Sequence, residues 1–587
     1  MIEKRWLIKE NADIGKVENL SSLLNIDTKI GNLLVQRGIE TYEEARVFFR
    51  PELSDLHDPF LMKDMDKAVA RLIKAIESNE HILIYGDYDV DGTTAVSVVY
   101  NYLKNFHDKL WFYVPDRYNE GYGISFQGID YAKDNDCSLV IAVDCGIKAI
   151  EKTKYANEKQ IDLIICDHHN PGAELPEAFA ILDPKRVDCD YPYKELSGAG
   201  VAFKLMQALC HTKQAPPEPL YKNLDLVVVS IGSDIVPLTG ENRILSYFGL
   251  QQLNNDPCPG LKSIITITGL TDKEIQVNDI VFKIGPRINA AGRMESGKTA
   301  VELLITENDK FAEKAGLEIN VINTSRKELD HDITDQALEM VASNEISKNA
   351  YSTVVYSEDW HKGVIGIVAS RLTETYYRPT VVLTKSNGMV TGSARSVPGY
   401  NLYDAIESCS DLLENFGGHM YAAGLTLKIE NLEPFKQRFE DYVRNTITED
   451  QRIPVIIADM KIEIKDITPK FYRLLKQFAP FGPGNMTPTF VSDGVYDNGS
   501  IKQVGKTSDH IKLKIIQHLG DNRCIDGIGF NFGHFFEYIK EYKAFDLCYQ
   551  IFENNFMNQT FLQILIKDIH KLNQGDEQET SSSQNQN

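Results

Sequence analysis

The stretch HILIYGDYDVDG, residues 81–92, runs from an apolar segment directly into three alternating aspartates. Two similar stretches follow along the chain, SLVIAVDCG at residues 138–146 and DLIICDHH at residues 162–169. Short runs of β-branched residues separated by helical segments predict a parallel α/β sheet. Because such sheets bind ligands at the carboxyl ends of their strands, the polar residues after these runs are expected to meet at one site.

A fourth apolar run, LVVVSIGSD at residues 226–234, is predicted to be another strand that ends in Asp234. The side chains that follow the four runs are Asp87, Asp89, Asp144, Asp167, His168, His169 and Asp234. Carboxylates with one or two imidazoles suit Mn²⁺ or Mg²⁺ better than Zn²⁺, since hard cations prefer oxygen ligands and the cluster offers no thiolate. The sequence therefore predicts a divalent metal site.

The three aspartates of the first stretch are given different roles. Asp91 is predicted to cap the helix that starts at Gly92, because an aspartate at this position accepts a hydrogen bond from the first helical amides. Asp87 and Asp89 would be weak evidence of a site by themselves. Acidic and histidine residues at the ends of the other runs make coincidence improbable, so both are assigned to the site.

The chain has 587 residues, which is too long for one hydrophobic core and predicts about three or four domains. Its formal net charge is −22, and an acidic surface argues against non-specific binding of nucleic acid. That average is compatible with a local basic channel, particularly where divalent cations neutralise part of the acid. The nine cysteines form no CxxC pair and are expected to be reduced.

The N-terminal residues MIEKRWLIKENAD lack the apolar core of a signal peptide. No run reaches the roughly eighteen apolar residues that a membrane span requires. A cytoplasmic protein without membrane contact is the simplest interpretation.

The patterning predicts an α/β architecture in which a parallel-sheet domain is joined by a long helix to a smaller α/β domain, followed by an OB-type β-barrel. Helical spacing of apolar residues between Asp309 and Asn344 indicates the connector helix. The expected parts are a helical N-terminal segment (1–75), the parallel-sheet domain (76–250), a loop-rich segment with the connector helix (251–345), the second α/β domain (346–447), the barrel (448–570) and a disordered tail (571–587).

Four motifs resemble those of the DHH phosphoesterase superfamily and occur in the same order. They are YGDYDVDGTTA (85–95), VDCGI (143–147), CDHH (166–169) and GSDIVPL (232–238). Five further segments are similar to the RecJ single-strand exonucleases of that superfamily: PDRYNEGYG (115–123), GPRINAAGRM (285–294), GSARSVPGYNL (392–402), FGGHMYAAGLTL (416–427) and FAPFGPGNMTPTF (478–490). The resemblance covers nearly the whole chain.

The resemblance implies two divalent cations, Mn²⁺ or Mg²⁺, and assigns their ligands by motif position. Asp87 and Asp144 would bind one cation, and Asp89, Asp144, His168 and Asp234 would bind the other, so that Asp144 is shared. His169 would face the scissile phosphate and act with Asp144 in catalysis, although a structural histidine is the alternative. Asp167 is expected to orient a metal-binding histidine through a hydrogen bond.

The resemblance also implies a set of substrate-binding residues. Arg117, Ser393 and Arg395 would bind a terminal 5′-phosphate, Gly417, Gly418 and His419 would contact the strand, Tyr122 would stack on a base or block duplex entry, and Arg287 is a weaker phosphate contact. The alternative for each arginine is a solvated surface position, and for Tyr122 a core position. In the barrel, Lys502, Lys506, His510, Lys512 and Lys514 fit a solvated strand face about as well as a DNA-binding face.

The function implied is a metal-dependent 5′-to-3′ exonuclease that hydrolyses single-stranded DNA to 5′-mononucleotides in DNA repair and recombination. A helicase and a single-strand-binding protein are its expected partners. Two alternatives stay open: a phosphodiesterase of short oligonucleotides or dinucleotides, and a non-catalytic DNA-binding scaffold of the same superfamily. The residues themselves, without the resemblance, predict only metal-dependent phosphoester hydrolysis.

Overall fold

The computed structural model describes residues 3–572 with the exception of residues 118, 295, 344–348 and 557–558. The tail that is predicted to be disordered lies outside the described residues from residue 573 onward. The chain divides into two compact units, one formed by Met1–Pro51 with Ile453–Asn587 and the other by Glu52–Arg452. None of the helices in the described part of the chain is both long and apolar enough to span a membrane.

The N-terminal segment contributes one strand and three helices to the first unit. They are β1 (Arg5–Ile8), α1 (Ile14–Leu24), α2 (Thr28–Val35) and α3 (Tyr42–Phe49). A side chain caps the first turn of each helix, and on α3 Thr41 and Glu44 form a capping box. The next helix, α4 (Met65–Glu77), belongs to the second unit, so the segment predicted at 1–75 is split between the two units.

A five-stranded parallel sheet forms the centre of the second unit. Its strands are β2 (His81–Gly86), β3 (Leu110–Tyr113), β4 (Cys137–Val143), β5 (Asp162–Cys166) and β6 (Ala180–Leu182), in the order β3-β2-β4-β5-β6. The associated helices are α5 (Val90–Leu103), α6 (Phe126–Asp134), α7 (Ile150–Glu158), α8 (Gly198–Lys213) and α9 (Glu218–Tyr221). The carboxyl ends of β2, β4 and β5 carry the first three motifs, as predicted.

The fourth apolar run is a helix rather than the predicted strand. It forms α10 (Leu224–Asp234), in which every residue from Leu224 to Gly232 is buried. A helix that is buried on all sides has no polar face, so its sequence lacks the helical period and cannot be told from a buried strand. Asp234 therefore reaches the site from the end of a helix.

The segment predicted to be loop-rich is almost entirely helical. It contains α11 (Gly240–Asn255), α12 (Pro259–Ile267), α13 (Val277–Asp279), a π-helical turn (Ile280–Ile284), α14 (Gly285–Met294), α15 (Gly297–Ile305) and the connector helix α16 (Asp309–Ser343). The glycines of GPRINAAGRM, which suggested a loop, permit close packing instead. A Cβ on Gly292 would lie 2.3 Å from the backbone oxygen of Tyr88.

The second α/β region has a mixed sheet, also of five strands, in the order β10-β11-β9-β8-β7. Its strands are β7 (Thr353–Tyr356), β8 (Thr380–Ser386), β9 (Met389–Arg395), β10 (Leu413–Gly418) and β11 (Ala422–Leu427). Its helices are α17 (Ile365–Tyr376), α18 (Leu402–Glu407) and α19 (Leu432–Thr446). The connector helix packs into this region through Ile333, Ala337 and Val341.

The C-terminal residues of the first unit form the predicted barrel. Its elements are β12 (Val455–Ala458), β13 (Met460–Lys461), α20 (Pro469–Lys476), β14 (Thr489–Asp497), β15 (Lys502–Val504), β16 (His510–Ile516), β17 (Ile525–Gly529), α21 (Phe536–Lys540), β18 (Phe545–Phe556) and β19 (Gln559–Lys571). The seven strands from β13 to β19 form one sheet, and pairing of β14 with β16 closes it. The predicted barrel is thus confirmed.

The N-terminal helices and the barrel share one hydrophobic core. Leu20 and Leu33 belong to the same buried cluster as Phe478, Phe490 and Ile564. Strand β1 also pairs in parallel with β12. The N-terminal helices therefore depend on the barrel for burial of their apolar faces.

We expect a fragment of residues 1–449 to be less compact than a fragment of residues 52–452. Truncation before the barrel exposes Leu20, Leu33 and Leu34, which are fully buried in the intact chain, at about 1.5–3 kcal/mol each. Binding of an apolar dye and size-exclusion chromatography of both fragments test this expectation. Equal compactness and equal dye binding would show that the N-terminal helices do not need the barrel.

Candidate active site

The turn that follows β2 places Asp87 and Asp89 at the carboxyl end of the sheet. Asp87 is fully buried, and its Oδ1 accepts a hydrogen bond from the backbone nitrogen of Gly123 at 3.4 Å. Asp89 is the N-cap residue of α5, because its Oδ1 accepts a hydrogen bond from the backbone nitrogen of Gly92 at 3.0 Å. The capping role predicted for Asp91 therefore belongs to Asp89.

Asp91 points instead toward the start of α8. Its Oδ2 accepts a hydrogen bond from the backbone nitrogen of Gly198 at 2.7 Å. Its Oδ1 accepts one from the backbone nitrogen of Ala199 at 2.8 Å and one from the hydroxyl of Ser230 at 2.7 Å. Its Oδ2 also lies 3.6 Å from Nε2 of His168. Asp91 is thus a candidate metal ligand that sequence reasoning missed, although its alternation with Asp87 and Asp89 was a signal.

Three other side chains meet Asp91 at this point. Nε2 of His168 lies 3.2 Å from Oδ1 of Asp144 and 3.7 Å from Oδ2 of Asp234. Asp144 has a left-handed backbone with φ of 58°, and a Cβ on Gly198 would lie 2.6 Å from its Cβ. A glycine at the start of α8 is therefore required for this close approach.

The structure thus brings together part of the predicted ligand set. Two groups have potential ligand atoms within 4.8 Å of one another, namely Asp144 with His168 and His169, and Asp91 with His168 and Asp234. Asp87 and Asp89 lie at the same edge of the sheet, but neither belongs to these two groups.

The electrostatics of this cluster favour a bound cation. Burial, and then the charges of neighbouring carboxylates, raise the pKa of Asp87 and of Asp144, and raise that of Asp234 to about 8. Oδ2 of Asp87 and Oδ1 of Asp144 are buried and accept no hydrogen bond from the described residues. Divalent cations would satisfy these oxygens and keep the carboxylates ionised, so the residues present fit Mn²⁺ or Mg²⁺.

A second histidine is held beside the cluster by Asp167. Oδ1 of Asp167 accepts a hydrogen bond from Nδ1 of His169 at 2.7 Å, whereas Nδ1 of His168 has no partner among the described residues. Asp167 therefore orients His169 and not, as predicted, the metal-binding histidine. Burial lowers the pKa of His169, but the bond to Asp167 outweighs it and raises the value to about 9.

Tyr122 completes this arrangement. Its hydroxyl lies 3.1 Å from Nε2 of His169 and donates a hydrogen bond to the backbone oxygen of Asp144 at 3.2 Å. Its side chain is exposed, so it is not the core tyrosine of the alternative interpretation. The imidazolium of His169 and the Tyr122 hydroxyl form a polar edge beside the carboxylates.

An arginine cluster lies next to the carboxylates. Nη1 of Arg395 donates hydrogen bonds to Oγ of Ser393 at 3.1 Å and to the oxygen of Ala394 at 2.8 Å. Burial and then the charge of Arg117 lower the pKa of Arg395, and the same two causes lower that of Arg293 to about 10. Ser393 thus contacts Arg395 directly, and Arg117 is near enough for its charge to act on Arg395. Binding of a terminal phosphate by these three residues stays a prediction.

In GPRINAAGRM, Arg287 was predicted to contact a phosphate, but the arginine of this motif that lies near Arg117 and Arg395 is Arg293. Arg287 points to the connector helix, where its Nε donates to Oδ1 of Asn320 at 3.0 Å. Nη1 of Arg287 donates to the backbone oxygen of Lys283 at 2.6 Å. The two arginines are six residues apart on one helix, so they face different sides.

The glycine pair of the second α/β region lies on the same sheet as the arginine cluster. Gly417 pairs with Gly424 and Gly424 with Ser393, so the three residues form a row across the strands. A Cβ on Gly417 would meet nothing within 4 Å, which leaves open space above this row. His419 is exposed at the turn that follows Gly418.

Three family models match the chain. They are the DHH family N-terminal domain at residues 81–231, the DHHA1 domain at residues 347–445 and the RecJ OB domain at residues 458–568. The single-stranded-DNA-specific exonuclease RecJ of Bacillus subtilis is 38% identical over 567 residues, which are 96% of this chain and 70% of that protein. The enzyme of the same name from Salmonella typhimurium is 32% identical and covers 87% of this chain and 91% of its own length.

Solved structures agree with these matches. The crystal structure of RecJ from Thermus thermophilus in complex with Mn²⁺ has a TM-score of 0.83 at 24% identity and covers 97% of this chain and 80% of that chain. A crystal structure of exonuclease RecJ bound to manganese has a TM-score of 0.59 at 30% identity and covers 68% of this chain and 97% of that chain. The first comparison establishes the fold.

We expect Asp91→Asn to weaken Mn²⁺ binding by roughly tenfold or more, since it removes a charge that faces His168. The amide keeps an oxygen for the backbone nitrogen of Ala199, so the fold should persist. Isothermal titration calorimetry with Mn²⁺ measures the effect. Asp134→Asn, on the exposed surface of α6, is the control and should bind Mn²⁺ as the unchanged chain does. Unchanged affinity in Asp91→Asn would remove Asp91 from the ligand set.

Proposed function

The chain belongs to the RecJ family of single-stranded-DNA-specific exonucleases, and from this premise we propose that it hydrolyses single-stranded DNA from the 5′ end to 5′-mononucleotides. The observation that carries the proposal is the convergence of Asp91, Asp144 and Asp234 on His168, at 3.2–3.7 Å, beside a cluster of arginines. Such a pairing of a metal site with cationic side chains suits a phosphodiester.

The carboxylate cluster would hold two divalent cations, Mn²⁺ or Mg²⁺. Asp91, Asp144, His168 and Asp234 are the ligands best supported by distance, and Asp87 and Asp89 supply further carboxylates at the same edge. When bound, the cations would activate a water and stabilise the leaving oxygen of an in-line displacement at phosphorus. Asp144, whose Oδ1 lies 3.2 Å from Nε2 of His168, would be the shared ligand in this proposal.

His169 acts on the phosphate from beside the metal ligands. Its ring is fixed by Asp167, which accepts a hydrogen bond from Nδ1, so Nε2 is positioned toward a phosphate oxygen at the metal site. Tyr122, which contacts that nitrogen, is exposed enough to stack on a base. These two side chains orient the strand at the scissile bond.

The arginine cluster would bind the terminal 5′-phosphate. Arg395 donates a hydrogen bond to Ser393. The guanidinium of Arg117 lies 4.9 Å from the ring centre of Tyr88, the residue between Asp87 and Asp89 in the chain. Guanidinium groups match phosphate oxygens in two-point fashion. A terminal phosphate fixed there sets which bond reaches the metals, and that gives the enzyme its 5′-to-3′ direction. The open space beside Gly417, together with Gly418 and the exposed His419, would accept the adjoining nucleotide.

The barrel would grip the strand outside the active site. Lys502 and Lys512 are paired across β15 and β16, and His510 on the same strand contacts the exposed ring of Phe530. A basic surface with an aromatic side chain is how OB folds bind single strands. Lys506 and Lys514 extend this basic surface.

We also infer a role in DNA repair and recombination in the cytoplasm. An enzyme restricted to single strands needs another activity, such as a helicase, to produce them, and a single-strand-binding protein to keep them open. The nine free cysteines fit a reducing compartment. Family membership is the basis of this inference.

The proposed function is tested by comparing three substrates with and without Mn²⁺. A long 5′-phosphorylated DNA strand should be degraded to mononucleotides only with metal, whereas its RNA equivalent and a dinucleotide should be poor substrates. Preferential hydrolysis of the dinucleotide would instead support an oligonucleotide phosphodiesterase. Binding of DNA by a folded protein that hydrolyses none of the three would support a non-catalytic scaffold.

We expect Arg395→Ala to slow digestion of 5′-phosphorylated strands more than that of 5′-hydroxyl strands. A charge-assisted hydrogen bond contributes roughly 1.5–3 kcal/mol, or about 10- to 150-fold in rate. Single-turnover digestion of matched strands that differ only at the 5′ end measures the difference. Arg438→Ala, an exposed arginine of the same α/β region, is the control. Equal losses on both strands would make Arg395 a general backbone contact.

A further inference from the structure

The middle of the connector helix α16 is polar although much of it is buried. Gly316 near its start packs against Ser263 of α12, and Ile333, Ala337 and Val341 near its end belong to the core of the second α/β region. Between these apolar contacts, Asn323, Arg326 and Asp330 are buried, at 1%, 8% and 1% exposure. Buried polar side chains normally have hydrogen-bonding partners, so this stretch needs an explanation.

Arg326 is the least satisfied of these side chains. Its Nη2 donates to Oδ1 of Asn323 at 2.8 Å, but its Nε has no partner among the described residues. Within the described part of the chain no carboxylate lies within 4.0 Å of its guanidinium, because Asp330 is paired with Arg371 at 2.8 Å. Asp330 acts on Arg326 electrostatically but is shared with Arg371, so Arg326 has no carboxylate of its own among the described residues.

Two further cations accompany Arg326. Burial and then the charge of Arg326 lower the pKa of Arg287, and burial followed by the charges of Arg287 and Arg326 lowers that of Lys327. Neither Arg287 nor Lys327 has an ion pair among the described residues. Three neighbouring cations without a paired carboxylate are unexpected in a chain whose net charge is −22.

We propose that Arg287, Arg326 and Lys327 form a phosphate-binding site on the connector helix and that it takes an internal backbone phosphate of the bound single strand. The site rests on the proposed function and lies apart from the terminal-phosphate cluster at Arg395. Asn320 and Asn323 hold the guanidinium groups of Arg287 and Arg326 in place. The exposed ammonium of Lys327 and the partly exposed guanidinium of Arg287 would contact the phosphate oxygens, and the buried Arg326 adds its charge.

The position of Arg293 favours a strand over a free anion as the source of the phosphate. Nη1 of Arg293 donates a hydrogen bond to the backbone oxygen of Gly363 at 3.3 Å. Three residues further on, a Cβ on Gly366 would lie 3.2 Å from Nη2 of Arg395. The charges of Arg117, Arg326 and Arg395 also act on Arg293. A continuous row of cations fits a polyanion whose phosphates are spaced along one strand. A separate small anion would need only one end of that row.

The salt dependence of strand binding tests the site. A 5′-hydroxyl DNA strand, which lacks the terminal phosphate, is titrated with the full chain in Ca²⁺ between about 50 and 200 mM salt, by fluorescence anisotropy. Lys327→Ala and Arg287→Ala should each lower the slope of log affinity against log salt by about 0.7, the value for one phosphate of a single strand. Lys314→Ala, an exposed residue of the same helix, should leave the slope unchanged.

Arg326→Met separates a binding role from a structural one. If Arg326 serves to bind an anion, its replacement should keep or raise the melting temperature without DNA, because a buried guanidinium with no carboxylate of its own is removed. The same replacement should weaken strand binding. A lower melting temperature with unchanged strand binding would make Arg326 structural and overturn the proposal.

Further outcomes distinguish a free phosphate from a strand phosphate, and failure of this site from failure of the proposed function. Inorganic phosphate that stabilises the unchanged chain but not Lys327→Ala, together with unaltered salt slopes for DNA, would assign the site to a free anion and overturn the strand assignment. Failure of the unchanged chain to bind single-stranded DNA would overturn the proposed function itself. Normal binding by the unchanged chain with equal slopes in all variants would overturn this inference alone.

Discussion

Contact between a single histidine and three carboxylates, of which Asp91 and Asp144 are buried and Asp234 is exposed, is the constraint on which the rest of the structure depends. Asp91, Asp144 and Asp234 meet at His168 in surroundings where like charges repel strongly. The protein offsets part of this repulsion with fixed dipoles, since the first amides of α8 donate to Asp91. Gly198 allows that helix to approach so closely that any side chain there would collide with Asp144.

The turn at Tyr88 joins this acidic cluster to the basic one. Its neighbours Asp87 and Asp89 face the metal site, while its ring supports the guanidinium of Arg117. A Cβ on Gly292 would meet the Tyr88 oxygen at 2.3 Å, so α14 holds the turn from behind. Because α14 also carries Arg293, one helix supports the turn that bears Asp87 and Asp89 and supplies a cation to the arginine cluster.

The sequence predicted correctly those strands that are marked by a pattern within a few neighbouring residues. Strands β2, β4 and β5 are short apolar runs with an acidic residue at the end, and the pattern reveals both the strand and the edge it reaches. The same pattern wrongly predicted a strand at α10, because a helix that is buried on all sides has no alternation of polar and apolar residues at the helical period. The role of Asp91 depends on amides at Gly198 and Ala199, more than one hundred residues further on, which no local pattern reveals.

The net charge of −22 and an affinity for DNA are compatible because they act over different distances. At physiological salt the repulsion from a distant acidic surface is screened within about 8 Å, whereas buried charges are screened much less. Arg395 is only partly exposed and has no ion pair among the described residues, so its charge is screened less than that of a surface arginine. An acidic exterior around such cations disfavours non-specific binding of DNA to the protein surface. Binding at the active site is affected less.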